Sequence, residues 1–257
     1  VRNYGKLMEI AFNRGAEIIF IADQDDVWLP DKIKIQMHQM KKLENEFGKN
    51  TPILINTDLT VVDESLRTIS PSFLNYQGIK KEPNRPLNIL LVQNFVTGCS
   101  IAINRALLKD VLPMPNNAVM HDWWTALCAA VFGKIDYIDK PTVLYRQHGN
   151  NKIGAKSLWG MLNPMRNNLV DRWHIGKKHF LDTIEQAQLL AEKISIKHSF
   201  DNDQATKLVA IHASCLSKKR IERVKKYFFA GIRRQGIIRS ILLYLRLLLT
   251  PNQTHFG

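Results

Sequence analysis

The chain is poor in cysteine and short of acids. Its three cysteines, Cys99, Cys128 and Cys215, lie far apart and form no CxxC pair. That argues against a disulfide framework and a zinc knuckle, and it fits a reducing compartment. No apolar run approaches the roughly 20 residues that a membrane-spanning helix needs. Internal repeats and low-complexity tracts are also absent. The opening Val-Arg-Asn-Tyr-Gly does not read as a signal peptide, and it lacks an initiator methionine, so an alternative start and a cut from a longer chain both stay open. Acids number 23 against 36 Lys plus Arg, a net charge of +13. Such an excess points to an anionic partner: nucleic acid, an acidic membrane surface or a phosphorylated substrate. Hydrophobic residues make up 45% of the 257, enough for a packed core, with room for one sizeable domain and a smaller one.

What is present is an alternation of helical and strand patterns. Residues 3 to 14 predict a helix, with Asn3 as cap, Leu7, Ile10, Ala11 and Arg14 at helical spacing and Gly15 as the stop. Glu17 to Ala22 (EIIFIA) predicts a short buried strand. Pro30 and Asp31 open a helix with Ile33, Met37, Met40 and Phe47 on or near one face. Residues 53 to 58 predict the next buried strand, and 70 to 86 a long loop with three prolines. A short helix near 87 to 93, a strand near 97 to 103, a helix from His121-Asp122, and strands near 135 to 138 and 142 to 147 complete an α/β pattern. After about residue 155 the β-branched runs give way to long helical patterns.

Between the EIIFIA strand and the following helix stands Asp23-Gln24-Asp25-Asp26. Ligands bind at strand ends in open α/β sheets. Carboxylates packed this closely raise one another's pKa unless a cation neutralises them, and hard oxygen donors favour magnesium, manganese or calcium. The plain alternative is a solvated acidic turn in which Asp25 or Asp26 caps a helix. An EF-hand loop is excluded because Trp28 stands where its glycine belongs. Asp23 to Val27 also matches a loose DxDxV phosphatase motif, but no downstream Ser/Thr and Lys motifs can be placed.

Residues 17 to 33 taken together resemble the metal-binding segment of family 2 glycosyltransferases, bacterial rhamnosyltransferase-like members in particular. Further segments follow in the same order. Asn3-Tyr4-Gly5 resembles the family's NxG element, and Asn56-Thr57-Asp58 with Val62-Asp63 its next strand and turn. Asn94 to Asn104 (NFVTGCSIAIN) resembles the acceptor-side strand, His121-Asp122-Trp123-Trp124 the HDWW segment, and Tyr145 to Asn151 the YRQHxxN segment. The resemblance runs from Asn3 to about residue 155. It implies a GT-A-like (Rossmann-like) mixed sheet flanked by helices over 1–155 and a basic, mostly helical region over 156–257. The family's first strand and Asp-rich turn, which hold the base and ribose, have no counterpart here, so the expected fold is N-terminally truncated.

The resemblance also implies roles. Asp25 and Asp26 would hold a divalent cation, Mn2+ or Mg2+, with Asp23 in support and His148 completing the shell or touching the donor diphosphate. Arg146 would pair with phosphate oxygens. Asp122 would be the catalytic base, with helix capping as its alternative. Gly98 would let the acceptor approach the backbone, or mark a strand bulge, and Trp123 or Trp124 would stack on a sugar ring while the other packs in the core. The implied function is inverting transfer from a nucleotide-sugar donor to a glycan or lipid-linked acceptor in cell-surface polysaccharide synthesis. Two alternatives remain: a catalytically impaired relative with a membrane-associating tail, and a metal-dependent phosphatase. From Ser214 onward ten Lys/Arg face a single acid, Glu222, amid aromatics and leucines. That composition suits an interfacial helix on an anionic membrane, or a solvated face. No RNP, KH or finger pattern is present, so no nucleic acid is expected. The expected location is the cytoplasm, and the basic tail leaves the inner face of the cell membrane open as a place of contact.

Overall fold

The computed structural model describes residues 1–147, 169–197 and 202–252. Residues 148 to 151 of the YRQHGNN segment and the boundary near residue 155 lie outside them. The centre of the described fold is β3 (Ile53–Val62), buried almost end to end. A run such as ILINTDLTVV turns no polar face to water, so it needs strands on both sides and layers on both faces. β6 (Lys134–Arg146) pairs with it in parallel, from Ile53↔Lys134 to Val62↔Arg146. On its other side β5 (Ile101–Asn104) takes the first half and β4 (Thr68–Ser70) the second, both antiparallel. β1 (Ile18–Phe20) pairs with β5 and β2 (Val27–Trp28) with β6, giving the order β1-β5-β3-β6-β2. The chain is a mixed α/β protein, as its pattern of elements predicts. The Asp23–Asp26 turn is the crossing from one edge strand of this sheet to the other.

Several elements differ from the sequence reading, each for a physical reason. The strands expected at 135–138 and 142–147 are one strand, because β3 continues past a register shift at Asp58 that lets Asp139 and Lys140 bulge out before Pro141. The loop over 70 to 86 contains α3 (Phe73–Gln77), too short to show a period. Ser72 caps it, and Asp58 accepts from the Ser72 hydroxyl (2.5 Å) and the Phe73 amide (3.1 Å). In α1 (Arg2–Asn13) the buried residue is Met8, while Leu7 and Ile10 are exposed, and Val1 rather than Asn3 stands at the N-cap. Gly15 ends that helix with φ +81, as expected. In α2 (Lys32–Phe47) the inward face is Lys32, Gln36, Met40 and Leu43; of the predicted face only Met40 is buried, and Ile33 and Phe47 are exposed.

Among the described residues the remaining α-helices are α4 (Pro86–Leu90), α5 (Arg105–Val111), α6 (His121–Phe132), α7 (Leu169–Ile196), α8 (Asp203–Ala213), α9 (Arg220–Ala230) and α10 (Ile237–Leu249). α6 is apolar nearly all round and is buried accordingly. Phe180, Ile184 and Leu190 of α7, Leu208 of α8, Tyr227 of α9 and Leu243 of α10 join the same apolar cluster as Trp123, Trp124 and Leu127 of α6. α9 and α10 are tied together by Arg223. Its buried guanidinium donates to the carbonyls of Thr250 (2.8 Å), Leu216 (3.0 Å) and Leu247 (3.3 Å), two of them at the C-terminal end of α10. The partial negative charge of that helix end stands in for a carboxylate. Arg239 of α10 donates to the carbonyls of Gly78 (2.8 Å) and Gln77 (2.7 Å), which anchors the pair to the loop after α3. Among the described residues no helix is long and apolar enough to cross a membrane.

Candidate functional site

The acidic turn is held from three sides. From α1 the Tyr4 hydroxyl donates to Asp23 Oδ1 at 2.5 Å and lies 3.2 Å from the Ala22 carbonyl. From the end of β6 the Arg146 amide donates to Asp26 Oδ1 at 3.0 Å. Beneath it the turn Gly98–Ser100, just before β5, brings the Cys99 sulfur together with carboxylate oxygens of Asp23 and Asp26, all within 4.8 Å of one another. Burial is the main cause that raises the Asp26 pKa, and the charges of Asp23 and Asp25 add to it, against hydrogen bonding from Cys99 and Arg146. Asp26 Oδ2 is buried and accepts no N–H or O–H hydrogen bond from the described residues. A buried carboxylate oxygen left in this state is costly unless something else binds it.

A second layer joins this turn to α6. The Tyr4 ring stacks on His121, with centroids 3.7 Å apart and an interplanar angle of 13°. Burial pulls His121 down to about 4, so it is neutral near pH 7, and its buried Nε2 has no hydrogen-bond partner among the described residues. Asp122, the next residue, is buried; its Oδ2 accepts from the Gly98 amide (3.1 Å) and its Oδ1 from the Trp123 amide (2.7 Å). Burial pushes its carboxyl up to about 7 despite those two donors. The N-cap of α6 is Met120, so Asp122 does not cap the helix but ties its first turn to the Gly98 turn.

Gly98 serves packing against His121. A Cβ at this position would lie 2.6 Å from His121 Nε2, and the ring cannot retreat without disturbing its stack on Tyr4. Gly98→Ala is expected to cost about 1–3 kcal/mol of stability, read from urea unfolding. A variant as stable as the wild type would mean that His121 is free to swing aside.

The structure thus brings Asp23, Asp26, Gly98, Asp122 and the Arg146 backbone into one neighbourhood. Asp25 is not part of the carboxylate–sulfur cluster; its carbonyl accepts from Arg146 Nε (3.0 Å). Arg146 Nη1 is engaged with the Glu64 carbonyl (2.7 Å), so the guanidinium braces the acidic turn against β6 and the loop after β3. Neither tryptophan faces an acceptor. Both are buried, with Trp123 Nε1 donating to the Leu90 carbonyl (2.6 Å) and Trp124 Nε1 to that of Val111 (3.0 Å). The expected stacking on a sugar is therefore corrected to core packing: a helix buried on all sides leaves no indole face open. His148 lies outside the described residues.

Three neighbours escaped the sequence reading. Tyr4 and Cys99 carry no motif signal of their own for the acidic turn. Lys32 is the third: fully buried, it donates to Gln36 Oε1 at 2.8 Å and sits 4.9 Å from the Trp28 ring centroid. Burial brings it down to about 8, while the nearby Cys99 acts in the opposite direction. Cys99 itself is held well above its usual pKa, chiefly by burial and then by Asp26, and stays a thiol. Its available signals were its place in the NFVTGCSIAIN segment and its position two residues before a buried strand.

No protein-family profile matches the chain. An uncharacterized glycosyltransferase of Nostoc sp. (strain PCC 7120) is 27% identical over 158 residues, covering 57% of this chain and 46% of that protein. The dTDP-rhamnosyl transferase RfbG of Shigella flexneri is 26% identical over 178 residues, covering 65% of this chain and 56% of its own length. The chain spans about half the length of the curated relatives it matches. Both relatives carry the name of a glycosyltransferase, and the similarity takes in more than half of this chain.

Proposed function

We propose that the chain works as an inverting, metal-assisted glycosyltransferase of GT-A type, moving a sugar from a nucleoside-diphosphate donor to a hydroxyl of a glycan or lipid-linked acceptor in cell-surface polysaccharide synthesis. The observation that carries this reading is the buried Asp26 Oδ2, unpartnered among the described residues, beside Asp23 and near a carboxylate, Asp122, poised near neutrality. The similarity to two glycosyltransferases supports it, and the name of one makes dTDP-rhamnose the first donor to test.

The donor set suits a hard divalent cation. Mg2+ and Mn2+ are held by one or two carboxylates and complete their shell with water and substrate phosphates. Asp23 and Asp26 supply those carboxylates, whereas the protonated Cys99 thiol offers no thiolate that would select a softer ion. When bound, the cation neutralises the charge that develops on the departing diphosphate. Tyr4 and the Arg146 amide each bind one oxygen of these carboxylates and fix where the others point. Asp122 takes the proton of the acceptor hydroxyl as its oxygen bonds to the anomeric carbon and the bond to the diphosphate oxygen breaks on the opposite face. A base near pKa 7 does this efficiently at neutral pH.

Calorimetry with Mn2+, without and with dTDP-rhamnose, tests the reading. The wild type is expected to bind the ion, and Asp26→Asn to bind it at least about tenfold more weakly. Transfer activity should vanish on chelation with EDTA and return with Mn2+. A folded protein that binds neither ion nor nucleotide would instead favour a non-catalytic relative, and phosphate release from simple esters a phosphatase.

A further inference from the structure

The two C-terminal helices present an apolar surface to the outside. On α10 the exposed residues Ile237, Ile238, Ile241, Leu245 and Leu249, with two further leucines, fall on one continuous arc, and all are aliphatic. The arginines of the same helix point the other way: Arg246 is buried and Arg239 binds the carbonyls of Gly78 and Gln77. This inverts the usual surface helix, whose apolar stripe faces the core. On the neighbouring α9, Phe229 is 83% exposed, Phe228 69% and Ile221 68%. Phe228, Phe229 and Tyr244 line a shallow groove between the two helices, together with Val224 and Lys225.

Charge identifies the occupant. From Ser214 on, Arg223 and Arg246 are buried and Arg239 is tied to carbonyls, but the outward charges are still basic, and the one acid, Glu222, is already paired with Lys226 (3.0 Å). Lys219, Arg220 and Lys225 are exposed beside the apolar face. A second copy would set one basic cluster against another, which like-charge repulsion opposes. Acidic lipid headgroups would match the cations while the acyl boundary takes up the aromatic and aliphatic side chains. At thirteen residues α10 is too short to span a bilayer, so it would lie in the plane of the surface.

We infer that the α9–α10 face is a membrane-docking surface that rests on an anionic lipid leaflet, with Phe228, Phe229 and the Ile237–Leu249 arc inserted and the flanking lysines on the headgroups. This inference is independent of the glycosyl-transfer reading and can hold or fail without it.

Co-sedimentation of the full chain with lipid vesicles tests it. Binding is expected to vesicles of phosphatidylcholine mixed with phosphatidylglycerol, to weaken as salt is raised, and to be much weaker on phosphatidylcholine alone. Phe229→Glu/Ile241→Glu alters only exposed positions and should keep the wild-type circular dichroism. It is expected to lower binding by roughly tenfold or more. Lys219→Glu/Lys225→Glu should remove the preference for the anionic vesicles. Failure to bind either vesicle overturns the inference, as does binding untouched by Phe229→Glu/Ile241→Glu. So does a concentration-dependent dimer in sedimentation velocity that this variant abolishes while vesicle binding is absent.

Discussion

Asp122→Asn is expected to slow sugar transfer by roughly a hundred- to ten-thousand-fold, the usual weight of a general base. Mn2+ and donor binding should change little, because Asp122 supplies none of the ligand atoms of the Asp23–Asp26–Cys99 cluster. The wild-type rate should rise with pH through about 7, as the carboxyl loses its proton, and level off above it. The residual rate of Asp122→Asn should lack that limb. Stability gives a second readout that does not depend on turnover. Burial lifts this carboxyl from 3.8 to about 7, so the fold prefers its protonated form. The stability that preference supplies is complete below about pH 4, declines as pH rises, and is gone above about 7. The difference in unfolding free energy between wild type and Asp122→Asn should slope across that window and be flat beyond it. A variant that only loses stability and keeps the wild-type pH–rate profile would leave Asp122 as the tie between α6 and Gly98 and nothing more.

Gly133→Ala should be the most damaging single-methyl change to the fold. A Cβ there would stand 1.9 Å from the Pro52 carbonyl oxygen and 2.7 Å from its carbon, both backbone atoms that cannot rotate away. Gly133 sits between α6 and β6, and the adjacent Lys134 amide donates to that same Pro52 oxygen at 2.8 Å. This is where the parallel pairing of β3 and β6 begins, at Ile53↔Lys134. Relieving the overlap means parting the two strands at their first rung. The expected loss is about 3 kcal/mol or more, with failure to fold as the extreme. Gly48→Ala is the comparison: no atom lies within 4 Å of its added methyl, so its whole cost is backbone strain at φ +89 and ψ 147, about 1–3 kcal/mol. Urea unfolding of the two variants decides the matter, and equal midpoints would show that the Gly133 contact is soft.

The strands were legible wherever apolar runs were dense, as at Ile18–Phe20 and Ile53–Val62. The acidic turn was legible because three carboxylates directly after such a run have few structural uses. Inward faces were harder to read. The buried line of α2 begins with Lys32 and Gln36, and polar residues at core positions mislead any hydrophobicity pattern. Gln36 is accommodated because its Nε2 reaches the Ser100 carbonyl at 2.8 Å, a contact across sixty-four positions. The grouping of Tyr4 with Asp23, His121 and Gly98 was illegible for the same reason: each contact joins segments that only the finished sheet brings together. The tryptophans of HDWW could be read either as a sugar platform or as core, and the all-round burial of α6 decides for core.

Arg223 gives the C-terminal helices a mechanical property. Its guanidinium, bonded to carbonyls at the far end of α10, works as a latch. Peeling α10 away from α9 would break these charge-assisted hydrogen bonds, each worth about 1.5–3 kcal/mol. The two helices must therefore tilt and travel as one stiff leaf rather than unroll. Arg239 pins that leaf to the loop after α3, and Asp58 of β3 caps α3. A load applied to the outer face of the leaf would thus reach the sheet through hydrogen bonds instead of being lost in a flexible tether.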